Sequence, residues 1–401
     1  MTTVAYALLL VCGLKTAAST MTIEVTLSDA GQRNTIAFSA LSFITGTLEA
    51  DSFFPPGKLA DFWGFQYLRD NDATEMGHTM AFLTKAANNM LSVLDAEDKA
   101  ALVTLAQGQV DDIETYGERR FALMQAFRDL LEDEGPEGNS GLDVAEVKKY
   151  SSSLYELDGE ISLDRAEVMG AILYGLNETQ RAYLDALKGV GMLNWPDVGD
   201  QIDPTTMTHD VHVAVLTYAG DLFSWYIGSL EADVYFAPER QGTYFGSFYM
   251  KDAPAVYIPG YVIDTELTGD MGATVLETLD AEQAEQLTDC VDEQRNQLLD
   301  IVATRGSVST LLRASIAGEE LDRAQVLHLM RHYGNLDGEI VHRYASRFSA
   351  VGHSLTTAQR TAFEDLRTEA LGEYIFPSTA FLYSDPIPLP DREDVSFLFV
   401  V

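Results

Sequence analysis

Eleven carboxylates stand where a hard cation could be held: Glu49, Asp51, Asp70, Asp72, Asp158, Glu160, Glu231, Asp233, Asp252, Asp337 and Glu339. All but Asp72 come in pairs. Residues 46–72, GTLEADSFFPPGKLADFWGFQYLRDND, return without a gap as residues 228–254, GSLEADVYFAPERQGTYFGSFYMKDAP, with ten of 27 positions identical. The word Leu157-Asp158-Gly159-Glu160-Ile161 returns as Leu336-Asp337-Gly338-Glu339-Ile340. Ca²⁺ wants roughly six to eight oxygens, which such acids and loop carbonyls can supply. The plainer reading makes the same acids helix caps, or partners of paired arginines such as Arg120/Arg305 and Arg128/Arg313, each contributing about 1 kcal/mol or less.

Other constellations are narrower. Asp70-Asn71-Asp72-Ala73-Thr74-Glu75 opens like an EF-hand loop, but Glu75 stands where the turn needs Gly, and Ala81 where the loop needs its closing Glu. A true EF-hand is excluded and a looser Ca²⁺ site stays open. Met76-Gly77-His78-Thr79-Met80 offers thioethers and an imidazole to copper. On a helix, however, His78 points away from the face that Met76 and Met80 share, and core packing of the methionines is the simpler account. His328 and His332 share a helix face, yet Leu329 occupies the place of a zinc peptidase's Glu, so the two read as a surface pair. The sequence contains no G-x-S-x-G, no phosphate-cradling glycine loop and no CxxC. A hydrolase working with carboxylates alone, glycosidic or metal-assisted, needs only two acids and remains an alternative.

Composition bounds the partners. Against 62 acidic residues stand 26 basic ones, a net charge of −36 over 401 residues. Such a surface repels nucleic acid and anionic membranes and favours cations or basic protein partners. With only Cys12 and Cys290 there is no disulfide framework, so stability rests on packing. Val4 to Leu14 is an apolar run followed by Ala17, Ala18 and Ser19, the pattern of an export signal over residues 1–20. This predicts a periplasmic or extracellular protein. No segment is long and apolar enough to span a membrane.

The elements that must position these residues are helical. The pattern predicts an all-α tandem duplication of two similar bundles, residues 28–190 and 208–371, joined by a linker at 191–207. Minor strands flank the bundles, at 22–27 and in the apolar run 395–401 that ends a Pro-rich tail, residues 372–401. Long aromatic loops at 52–72 and 234–262 are expected to pack where the copies meet, because Phe53, Phe54, Phe62, Trp63, Phe65 and Tyr67 are too apolar for water.

Four helices open with related words: Leu94-Asp95-Ala96-Glu97, Leu176-Asn177-Glu178-Thr179-Gln180, Leu279-Asp280-Ala281-Glu282-Gln283 and Leu355-Thr356-Thr357-Ala358-Gln359. Asp143 with Glu146 repeats the spacing. Physically these are N-caps whose third helical residue reaches back. Together with Leu287, Gln294, Arg295 and Leu298, they resemble the LTxxQ motif of the periplasmic helical stress proteins, a chaperone-like and metal-responsive family. The resemblance covers about a tenth of the chain, matches in full only at Leu355 to Gln359, and leaves the LEAD and LDGE words and the aromatic loops outside it. It implies an exported, non-enzymatic helical protein that engages a protein partner or a cation. A structural component of an envelope or extracellular layer is the third expectation.

Overall fold

The computed structural model describes residues 29–46, 80–188, 190, 194–226, 269–371, 381–382, 385–386 and 394–401. The export segment, both aromatic loops, the strand-like run 22–27, the EF-hand-like word and Met76 to Thr79 lie outside the described residues. Eleven helices are described: α1 (Asp29–Thr45), α2 (Met80–Leu91), α3 (Ala96–Leu131), α4 (Val144–Gly175), α5 (Glu178–Leu187), α6 (His209–Tyr226), α7 (Gly269–Thr278), α8 (Ala281–Thr288), α9 (Val291–Arg313), α10 (Arg323–Ser354) and α11 (Thr357–Leu371). Regular β structure among the described residues amounts to one antiparallel pair, β1 (Phe381–Leu382) with β2 (Asp385–Pro386). No described helix is long and apolar enough to cross a membrane.

The capping words act as written and also tie helices together. The Asn177 and Asp280 side chains each accept the N–H of a glutamine three residues on, and that glutamine's Oε1 accepts the cap N–H in return. Thr356 and Gln359 make the same exchange. The amide left over then reaches a neighbour, Gln180 Nε2 to Val93 O at 2.6 Å and Gln359 Nε2 to Thr278 O at 3.2 Å. Each cap therefore fixes a helix start to the end of another helix. Asp95 and Asp143 cap from one side only. Glu146, at the return position of Asp143, instead accepts the Lys149 ammonium at 3.0 Å.

The long helices α4 and α10 run antiparallel through the centre. Ser152 Oγ donates to Arg331 O, the Tyr155 and Tyr333 rings lie 4.7 Å apart, and Arg323 pairs with Asp164. Glycine permits this approach. A Cβ on Gly338 would meet Lys148 Cα at 2.7 Å, one on Gly334 would meet Ser152 Cα at 2.7 Å, and one on Gly159 would meet Met330 at 2.9 Å. The glycine of each LDGE word is thus a packing residue.

Helix α3 covers α4 and α9 covers α10, but the packing of the first helix in each half crosses between segments 28–190 and 208–371. Helix α1 packs on α7, α8, α10 and α11, whereas α6 packs on α2 and α3. At the α1–α7 contact a Cβ on Gly272 would fall 2.0 Å from Asn34 O. Two buried polar clusters mark the arrangement. Gln109 of α3 accepts from Tyr218 of α6 at 2.9 Å and from Arg165 of α4 at 3.1 Å. Gln294 of α9 accepts from Tyr344 of α10 at 2.7 Å and donates to Gln32 of α1 at 2.9 Å.

Helix α3 is continuous from Ala96 to Leu131, whereas α8 and α9 are separated at Asp289 and Cys290. The C-terminal run, expected as strand-like over 395–401, forms a 3-10 turn at Ser396–Leu398 and a single bridge between Phe399 and Leu142. It docks on the connection between α3 and α4. Val400 N donates to Gly141 O, Asp143 N donates to Leu398 O, and Val395, Leu398 and Phe399 are buried.

Candidate functional site

Of the eleven candidate carboxylates, Asp158, Glu160, Asp337 and Glu339 are described, and the other seven lie outside the described residues. Asp158 and Asp337 are 1% and 0% exposed, inside the bundle rather than at a solvent-facing cleft. Because α4 and α10 are antiparallel and cross near Leu154 and Tyr333, the two aspartates sit on opposite sides of the crossing. They are about eight residues apart along the pair, roughly 12 Å at the helical rise. The LDGE words therefore do not converge on one cavity. Glu160 faces water. Glu339 is half-buried; burial alone would raise its pKa, but its hydrogen bond to the Lys148 ammonium, with Arg343 nearby, holds the carboxyl below its ordinary value.

Among the described residues no group of three or more His, Cys, Asp or Glu lies within metal-holding range. His328 and His332 are both exposed, and His332 Nε2 is 3.0 Å from Asp300 Oδ2. Burial pushes the Cys290 thiol up to about 12, which leaves it a neutral core group.

One cavity has a different character. It measures about 420 Å³ and is lined by Leu173, Arg181, Trp225, Tyr226, Arg313, Ile316 and Ala317. Among the described residues its charged lining is Arg181 and Arg313, in a chain of net charge −36. Arg181 is fixed by the C-terminal carbonyls of α4, donating through Nε to Leu176 O at 2.9 Å and through Nη2 to Leu173 O at 2.7 Å. Its Nη1 makes no hydrogen bond among the described residues. The Arg313 guanidinium lies 5.7 Å from the centre of the buried Trp225 ring, a cation–π contact that holds it against the wall. Tyr226 donates to Asp185 at 2.9 Å, and burial together with that carboxylate pushes the phenol up to about 12, so its proton stays in place. None of these residues was legible as a site, because they are scattered over five elements and belong to no spaced motif. No protein-family model, curated protein or solved structure matches this chain.

Proposed function

We propose that this chain is an exported, non-enzymatic helical binding protein, built by duplication of one bundle and presenting an acidic surface to a protein partner or a cation. The observation that carries the proposal is the use made of the LDGE words. Gly159 and Gly338 bring α4 and α10 together, and Asp158 and Asp337 are enclosed by the bundle. Recurrence of the two glycines is accounted for by packing, without a role in chemistry. The parallel order of helices in the two halves, and the matched glutamines 109 and 294, support the duplication. A carboxylate hydrolase would need its acids open to substrate, and burial of both aspartates favours the binding reading over it.

Asp158→Asn and Asp337→Asn test this. Each should lower the melting temperature, and neither should abolish a hydrolytic activity while leaving the fold intact; the latter outcome would establish the hydrolase. For the cation, millimolar Ca²⁺ should raise the melting temperature by several degrees where Mg²⁺ does not, and equal curves would remove a specific Ca²⁺ site.

A further inference from the structure

We infer that the docked run 394–401 and the start of α4 form a face that binds a basic amphipathic segment of another protein. The inference rests on the reading of the chain as a binding protein and gives that reading a surface and a partner class. It begins from where apolar side chains meet water. Among the described residues the exposed large hydrophobics are Val144, Tyr174, Phe397, Val400 and Val401. All but Tyr174 gather at this one place. Single exposed hydrophobics are ordinary on any protein, but a contiguous group marks an interaction surface.

Backbone pairing brings these residues together. Val400 N donates to Gly141 O at 2.9 Å, Ser140 N donates to Val400 O at 2.9 Å, and Leu142 is bridged to Phe399. Val144 and Phe397 flank the bond from Asp143 N to Leu398 O at 2.8 Å. The docked run is therefore apolar on two sides. Val395, Leu398 and Phe399 are buried and account for the docking, whereas Phe397, Val400 and Val144 remain 46%, 44% and 41% exposed. Of these, Phe397 is steadied by the Tyr150 ring, 5.7 Å away between centres, with much of its surface still open.

The charge around the face selects its occupant. Between residues 132 and 146 lie Glu132, Asp133, Glu134, Glu137, Asp143 and Glu146 with no Lys or Arg, and Asp394 opens the docked run. Arg128 and Lys149 pair with Glu132 and Glu146, His353 lies 3.7 Å from Asp133, and Glu137 stands exposed. A second copy would bring the same carboxylates to the contact, and an anionic membrane the same sign, so both are repelled. A segment that sets lysines or arginines beside an apolar stripe matches the face in both respects.

Fluorescence anisotropy of the full chain with a labelled amphipathic helical peptide of leucine and lysine tests the inference. Saturable binding is expected, weakening as salt rises, and a scrambled peptide of the same composition should bind at least about tenfold more weakly. Phe397→Ser with Val400→Ser should cost the amphipathic peptide at least about tenfold in affinity, whereas Tyr174→Ser should bind it like the parent. If the Phe397 and Val400 pair unseats the run, seen as a lower melting temperature, Val144→Ser with Glu137→Gln alters the same face from the α3–α4 side and should also weaken binding. Absence of saturable binding, a scrambled peptide bound as tightly, or a folded double variant that binds like the parent would each overturn the inference. So would a parent dimer in sedimentation that Phe397→Ser with Val400→Ser returns to monomer, since a second copy would then be the occupant. The Asp158 and Asp337 variants read a different property, so the binding reading can survive a failure here.

Discussion

Arg347 Nη1 donates to the Gln286 carbonyl at 3.1 Å, taking the acceptor that the Cys290 N–H would use in an unbroken helix. The same guanidinium pairs with Asp289 and Glu293. A side chain inserted into the backbone ladder is a recognised cause of a break, and α8 ends here. When the two LDGE words are aligned in the sequence, Val168 falls at this position, and α3 runs unbroken from Ala96 to Leu131. Arg347→Val should therefore join α8 to α9, read as slower amide exchange at Cys290, and cost about 2 kcal/mol from the lost charged hydrogen bond. Unchanged exchange at Cys290 would place the cause of the break elsewhere.

The glycines make a sharper pair of tests. Gly338→Ala sets a methyl group against the Lys148 backbone, which cannot swing aside as a side chain would. Urea unfolding should show a loss of about 1–3 kcal/mol. Gly108, exposed in the middle of α3, has nothing within 4 Å of an added Cβ, so Gly108→Ala should stabilise by up to about 1 kcal/mol.

Replacing the buried glutamines should expose what each one satisfies. Gln294→Leu takes away the acceptor of the Tyr344 hydroxyl and should cost roughly 2 kcal/mol. Gln109→Leu should cost more, because it withdraws an acceptor from Arg165, a buried charge. Adding Tyr344→Phe to Gln294→Leu should recover part of the loss. A strictly additive double variant would show that the two groups do not interact.

Stability on the acid side should depend on Glu339. Its pKa is lower in the folded chain than in the unfolded one, so its contribution is complete above the ordinary glutamate value of about 4.3 and disappears as pH falls through the lower, folded value. Between pH 6 and pH 3, Glu339→Gln should lose less stability than the parent, and Lys148→Met should behave alike. Identical acid slopes for all three proteins would mean that the pair contributes nothing.

Capping and periodicity are local, and what they govern could be read from the residues. The starts at Asn177, Asp280 and Thr356 lie where their side chains can accept a nearby N–H. Partners were harder to read. A stripe such as Ile36, Ala40 and Phe43 states that a face is covered, but not that α7 rather than α2 covers it. The same limit hid the amides that join Gln180 to Val93 and Gln359 to Thr278, since capping already accounted for both glutamines.

The crossing of α1 to the far half bears on how the chain matures. Residues 80–226 hold α2 to α6 in one uninterrupted stretch, so this part can close while translation is still under way. Residues 269–371 must recover α1, the first of the described helices to be made, after more than two hundred residues have emerged between them. Until then Ile36, Ala37, Ala40 and Phe43 have no cover from α7, and α1 has to be shielded by something other than its final neighbours.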